Sequence, residues 1–200
     1  MLKLAGELLE GQLAEHIADL DAHTRDLFQM VKPNSYLASP LAAVRIPTSP
    51  IAMVADTLYA IPYPITRART PDQLALQVYT ADAGKSIRIG IYKDNGSVYP
   101  GERLTNGGTV ATDTTGLKTV AYTTQLVKGL YWIAIISDGT PALGEYRAYL
   151  PIIGNTSSMG DQLGQFKKSQ SYGDLPDPFP SGASLEYDIW TVGLRFTSND

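Results

Sequence analysis

Residues 86–93 read S-I-R-I-G-I-Y-K and run directly into Asp94-Asn95-Gly96. Ile87, Ile89 and Ile91 recur at every second residue, so an extended chain lays all three on one face. Asp-Asn-Gly then supplies two side-chain acceptors and a residue free to take positive φ, which is the chemistry of a tight turn. The same pattern continues on both sides. Q-L-A-L-Q-V-Y-T (73–80) puts Leu74, Leu76 and Val78 on one face. G-G-T-V-A-T (107–112) and G-L-K-T-V-A-Y-T-T (116–124) follow as strands, then G-L-Y-W-I-A-I-I-S (129–137), ended by Asp138-Gly139. That last run is almost continuously apolar. It suits a central strand buried on both faces, or one whose outer face meets another subunit.

L-Y-A-I-P-Y-P-I (58–65) is aromatic and β-branched, and its prolines push it to an edge or a strand end. E-Y-R-A-Y-L-P-I-I (145–153) reads as a further strand. A Gly-, Ser- and Asp-rich stretch spans 154–182, and S-L-E-Y-D-I-W-T-V-G-L-R-F (184–196) reads as one long final strand. Short strands between Gly-, Asn- and Pro-rich turns, with no helical spacers, predict a mainly β display domain over 51–200. The expected architecture is an antiparallel β-sandwich, jelly-roll-like.

Residues 1–32 differ in kind. They hold no proline, and Leu13, Ile17, Leu20, Leu27 and Val31 fall at 4-3-7-4 spacing with Thr24 in the gap. This is the a/d rhythm of a short coiled coil and predicts an N-terminal α-helical stem. A second frame (Leu9, Leu13, His16, Leu20, His23, Leu27, Met30) would turn both histidines inward; the first buries no imidazole and is favoured. A lone helix of this length is marginal in water, so it packs either on its own β-domain or on copies of itself. Pro33-Asn34 stops the helix, and Pro40, Pro47 and Pro50 mark a proline-rich hinge over 33–50.

Composition narrows the chemistry. Of 200 residues none is cysteine and two are histidine, which removes disulfides, thiolate chemistry and most zinc sites. Net charge is −4. Six acids and three bases place −3 of it on residues 1–32, so no basic footprint invites nucleic acid, and the helix has the wrong polar face for an anionic membrane. No apolar run approaches the ~20 residues of a membrane span, and acids inside the N-terminal apolar pattern rule against a signal peptide. There is no G-x-S-x-G, phosphate-cradling loop or H-E-x-x-H. Asp94, Asn95 and Glu102 crowd one loop, but their spacing is that of a turn and not of a calcium loop. Asp174, Asp177, Glu186 and Asp188 are scattered acids, and no spacing singles out a hydrolytic pair. The expectation is therefore no catalytic residue, no metal, no cofactor and no enzyme activity.

Tyrosine is the surplus residue, twelve against four Phe and two Trp. It suits wet interfaces, having a flat apolar face and a hydroxyl. Tyr99, Tyr172, Tyr187 and Trp190 fall in or near expected loops or at the start of the last strand, and are candidate receptor or glycan contacts. Tyr131 and Trp132 lie mid-strand and are expected in the core.

I-R-I-G-I-Y-K-D-N-G-S-V-Y-P-G-E (87–102), G-G-T-V-A-T-D-T-T-G-L-K-T-V (107–120) and L-V-K-G-L-Y-W-I-A-I-I-S (126–137) follow in an order that resembles a β-sandwich domain of tailed-bacteriophage appendage proteins. Residues 58–65 are similar to that family's early strand, and L-P-D-P-F-P-S-G-A-S-L (175–185) to its late proline loop. The resemblance covers about residues 50–196. It implies a virion structural protein of the tail-fibre, head-fibre or decoration type, often a homotrimer. Its N-terminal segment would be held to a capsid or tail protein, and its sandwich displayed toward a host-surface glycan or protein. With no shaft within its 200 residues, the chain is expected to be a short appendage. The resemblance brings no catalytic or binding residue with it. The competing expectation is a carbohydrate-binding module without a virion role.

Overall fold

The computed structural model describes residues 33–38, 50–147, 154–155, 162–186 and 188–197. The expected stem (Leu13, Ile17, Leu20, Leu27, Val31), most of the hinge, and Tyr187 lie outside the described residues. Among the described residues the protein is mainly β, with no helix, and every strand pairing is antiparallel.

Two sheets share the core. One runs β14 (Ser184–Glu186), β13 (Gln165–Ser169), β3 (Thr57–Ile65), β8 (Gly129–Ser137), β5 (Ser86–Asp94), β6 (Pro100–Ala111). In the other, β4 (Pro71–Thr80) is flanked by β7 (Gly116–Ala121) and β16 (Val192–Phe196). β1 (Ser35–Ala38) lies beyond β16, and β9 (Ala142–Leu143) and β2 (Ile51–Ala52) continue from the end of β4. Two small ladders complete the set: β10 (Glu145–Arg147) with β15 (Asp188–Trp190), and β11 (Gly154–Asn155) with β12 (Gln162–Leu163). The chain changes sheet from β3 to β4, β4 to β5, β6 to β7 and β7 to β8. This interleaving gives a sandwich-like fold.

The alternation read from sequence sets the core. Ile87, Ile89 and Ile91 of β5, Ile61 and Tyr63 of β3, and Ile133 and Ile135 of β8 face Leu74, Leu76, Val78, Val192 and Leu194 of the other sheet. All are buried, and each side chain of this size adds about 1.5–3 kcal/mol. The opposite face of the first sheet is closed as well. Leu58, Ala60, Tyr92, Trp132, Ala134, Ile136 and Phe166 lie under residues 170–183, which contribute Leu175 and Phe179. The apolar run 129–137 is thus a central strand buried on both faces by its own chain.

One expectation holds in part and two need correction. β3 is paired on both sides along its first half, by β13 from Thr57 to Ala60 and by β8 throughout. Pro62 and Pro64 both fall in the second half, beyond the β13 pairing, where a missing amide breaks no ladder with that strand. The Gly/Ser/Asp-rich stretch contains β13, whose sequence Q-F-K-K-S lacks any apolar alternation. The final run is not one strand. β14 joins the first sheet, β15 pairs with β10, and β16 joins the second sheet, so the chain crosses the edge of the sandwich within thirteen residues.

Candidate functional site

Residues 170–183 are built as a strap. Asp56, at φ 55°, receives Gln170 N–H on its carbonyl and Tyr172 N–H on its carboxylate (2.9 and 2.7 Å). Asn106 Oδ1 accepts Leu175 N–H at 2.8 Å, and Gly101 O accepts Phe179 N–H at 3.0 Å. The Arg103 guanidinium donates to Leu175 O, and Arg103 N–H donates to Asp177 Oδ1 at 3.0 Å. Tyr92 and Tyr99 hydroxyls donate to Pro176 O and Pro180 O at 2.7 and 2.6 Å, while Ala183 N–H donates back to the Tyr99 hydroxyl. Burial pushes the Tyr92 hydroxyl well above its ordinary range, so it remains a donor across neutral pH.

Each candidate aromatic can now be placed. Tyr99 is half-buried, edge-on to Phe166 and Phe179 at 4.7 and 5.8 Å, and its hydroxyl is engaged at both ends. Tyr172 is half-buried and packs on the cluster beneath the strap. Trp190 is 4% exposed and meets Tyr59 edge-on at 5.5 Å, so as placed its ring offers no face to a sugar. Tyr131 and Trp132 are core residues, with the Trp132 indole donating to Asp94 Oδ1 at 3.0 Å.

The scattered acids are engaged in structure. Asp174 pairs with Arg88 at 3.2 Å, Asp177 caps Arg103, and Glu186 pairs with Lys167. Glu102 pairs with Lys93 across the β5–β6 hairpin at 2.9 Å. Among the described residues no group of three His, Asp or Glu side chains is placed to hold a metal ion. Within the hairpin tip, Gly96 N–H donates to Asp94 Oδ2 and Ser97 N–H to Asn95 Oδ1.

Sequence reasoning did not find two of the concave surfaces among the described residues. One, of about 310 Å³, lies along β13 beside Val54, Tyr59, Lys167, Lys168 and Ser184. Burial, then the nearby Glu186 charge, raises the Tyr59 hydroxyl to about 12, so it stays neutral there. The other, of about 400 Å³, is bounded by Arg69, Thr70, Asp72, Thr123, Gln125 and Thr197. Reciprocal backbone hydrogen bonds between Arg69 and Leu126, both 2.8 Å, bring its two walls together. The Arg69 guanidinium lies 5.0 Å from the Phe196 ring centre. At the rim, Arg195 Nε reaches both Asp72 oxygens at 3.0 Å and holds that carboxyl below its ordinary range. Hydroxyls, an amide and a fixed ion pair suit binding of a polar surface; no nucleophile sits beside a free base among these groups. Nothing in local sequence marks either hollow, because each joins segments far apart in the chain.

No protein-family model matches the chain, and no curated protein compared with it is a match.

Proposed function

We propose that the chain is a virion structural protein of the phage-appendage type: a jelly-roll-like sandwich displayed on an N-terminal helical stem, acting by attachment and not by catalysis. The observation that carries this reading is that the stretches bearing the resemblance, 87–102, 107–120 and 126–137, form β5, β6, β7 and β8, with the late proline loop as the strap over the sheet that holds β5, β6 and β8. Such a module closes both faces of its central sheet from its own chain, which leaves its loops and edges for contact. A trimer on a coiled-coil stem would add avidity without needing a tight single site. The stem holds the particle, and the sandwich meets a host-surface glycan or protein.

Particles purified from cells expressing the chain, labelled with an antibody to the sandwich and imaged, test this. Label at discrete head or tail positions is expected, and removal of residues 1–32 should abolish it while the sandwich stays folded. Absence of the chain from purified particles overturns the reading and leaves the carbohydrate-binding module, to be sought by glycan binding of the free protein.

A further inference from the structure

Two Asn-Gly pairs lie on the β5–β6 hairpin, Asn95-Gly96 and Asn106-Gly107. Such a pair carries latent chemistry. Glycine has no side chain to shield its own nitrogen, so that nitrogen can approach the amide carbon of the preceding asparagine. The two pairs have opposite surroundings.

At the hairpin tip, Asn95, Gly96 and Ser97 are all exposed, and a Cβ on Gly96, at φ +90°, would meet nothing within 4 Å. Gly96 N–H points at the Asp94 carboxylate, 2.8 Å from Oδ2. Asn95 Oδ1 already accepts Ser97 N–H at 2.9 Å. Asp94 is itself held, because its other oxygen accepts the Trp132 indole N–H at 3.0 Å. A base therefore sits on the proton of the attacking nitrogen, and a donor on the oxygen that must take up negative charge.

At the second pair, Gly107 N–H donates to the neutral Thr105 hydroxyl, at 2.9 Å. Asn106 Oδ1 is tied to the strap through Leu175 N–H. Gly107, at φ +57°, is wedged against β5, and a Cβ there would lie 1.6 Å from Ile89 O. Its nitrogen lacks both a base and room to move.

We propose that Asn95 is a self-modifying site. The Gly96 nitrogen attacks Asn95 Cγ while its proton passes to the Asp94 carboxylate. The new C–N bond forms as the carbonyl electron pair moves onto Oδ1, held by Ser97 N–H. Collapse expels the side-chain nitrogen, which takes the proton back from Asp94 and leaves as ammonia. The resulting five-membered imide is opened by solvent water at either carbonyl, giving aspartate or isoaspartate at position 95. Both products add a negative charge at the tip. The isoaspartyl product also lengthens the backbone by one methylene, three residues before Val98, which is exposed at φ 56°. The displayed loop thus changes charge and shape with age.

The test follows residues 95 and 106 by peptide mapping of the full chain held at neutral pH, beside a synthetic peptide of residues 92–100. Asn95 should convert faster in the folded chain than in the peptide, and about tenfold faster than Asn106, a modest share of what a positioned base supplies. Asp94→Asn keeps an oxygen for the Trp132 indole; it should slow Asn95 about tenfold and leave Asn106 unmoved. Conversion of Asn95 at or below the peptide's rate overturns the proposal without recourse to any variant. So does an unchanged rate in a folded Asp94→Asn chain, with folding checked by circular dichroism.

Discussion

Along β8, Tyr131, Ile133 and Ile135 point to one side of the sheet, and Leu130, Trp132, Ala134 and Ile136 to the other. The first set meets Leu74, Leu76 and Leu194 on facing strands, a contact of aliphatic surface on aliphatic surface. The second meets a strap without regular structure, whose aromatic rings pack edge-on and whose backbone is tied by side chains of β5, β6 and the loop before β3. Strands bring their hydrogen bonds with them and need only a greasy face. A strap must find a partner for each buried backbone group, so directional contacts replace periodicity.

The largest expected effect lies on the aliphatic side. Ile133→Ala should lower unfolding free energy by about 3–4 kcal/mol, since packed strands cannot collapse into the cavity. Urea unfolding at unchanged slope measures it, and a cost under about 1 kcal/mol would show that face to be loosely packed. Phe179→Ala should cost less, about 2 kcal/mol, because the strap can open while the sandwich stays closed. Hydrogen exchange should then quicken over 170–183 but not in β4; equal quickening in both would erase the distinction between the two faces.

The smallest effect concerns Asp72 and Arg195, at the rim of the 400 Å³ hollow. Both side chains are about a quarter exposed, which limits Asp72→Asn to about 1 kcal/mol. The Arg195 hydrogen bond lowers the Asp72 pKa. Its stabilisation is therefore full above the unfolded aspartate value, near ~4, and is lost as pH falls through the folded value. Wild type and variant should converge in stability on acidification, and a gap that persists at low pH would mean that packing and not charge holds the pair.

The contrast between the faces also explains what the sequence could tell. Ile87, Ile89 and Ile91 carry period two in the chain itself, and they form one side of the shared core. Leu175 and Phe179 stand among prolines, and nothing nearby reveals that Trp132 waits beneath them; their burial is decided by contacts from β5 and β6. Trp190 misled for the related reason that a residue beside a turn reads as exposed until a distant Tyr59 covers it. β13 escaped notice because its lysines reach Glu186 and Gly182 and not a core. The chemistry at Asn95, by contrast, lies within four consecutive residues; the fold decides only which oxygen each amide meets.

β1, near the start of the described chain, finds its partner only in β16, near the end, through Ser35↔Phe196 to Ala38↔Gly193. The same closing run reaches both sheets, with β14 in one and β16 in the other. A ribosome therefore releases almost the whole sandwich before the strand that stitches it has emerged, so β1 must wait, unpaired with β16, until that closing run is made. Contacts of such long sequence separation fold slowly. The sandwich is thus closed only once its own last strand is in place, and not strand by strand along the chain.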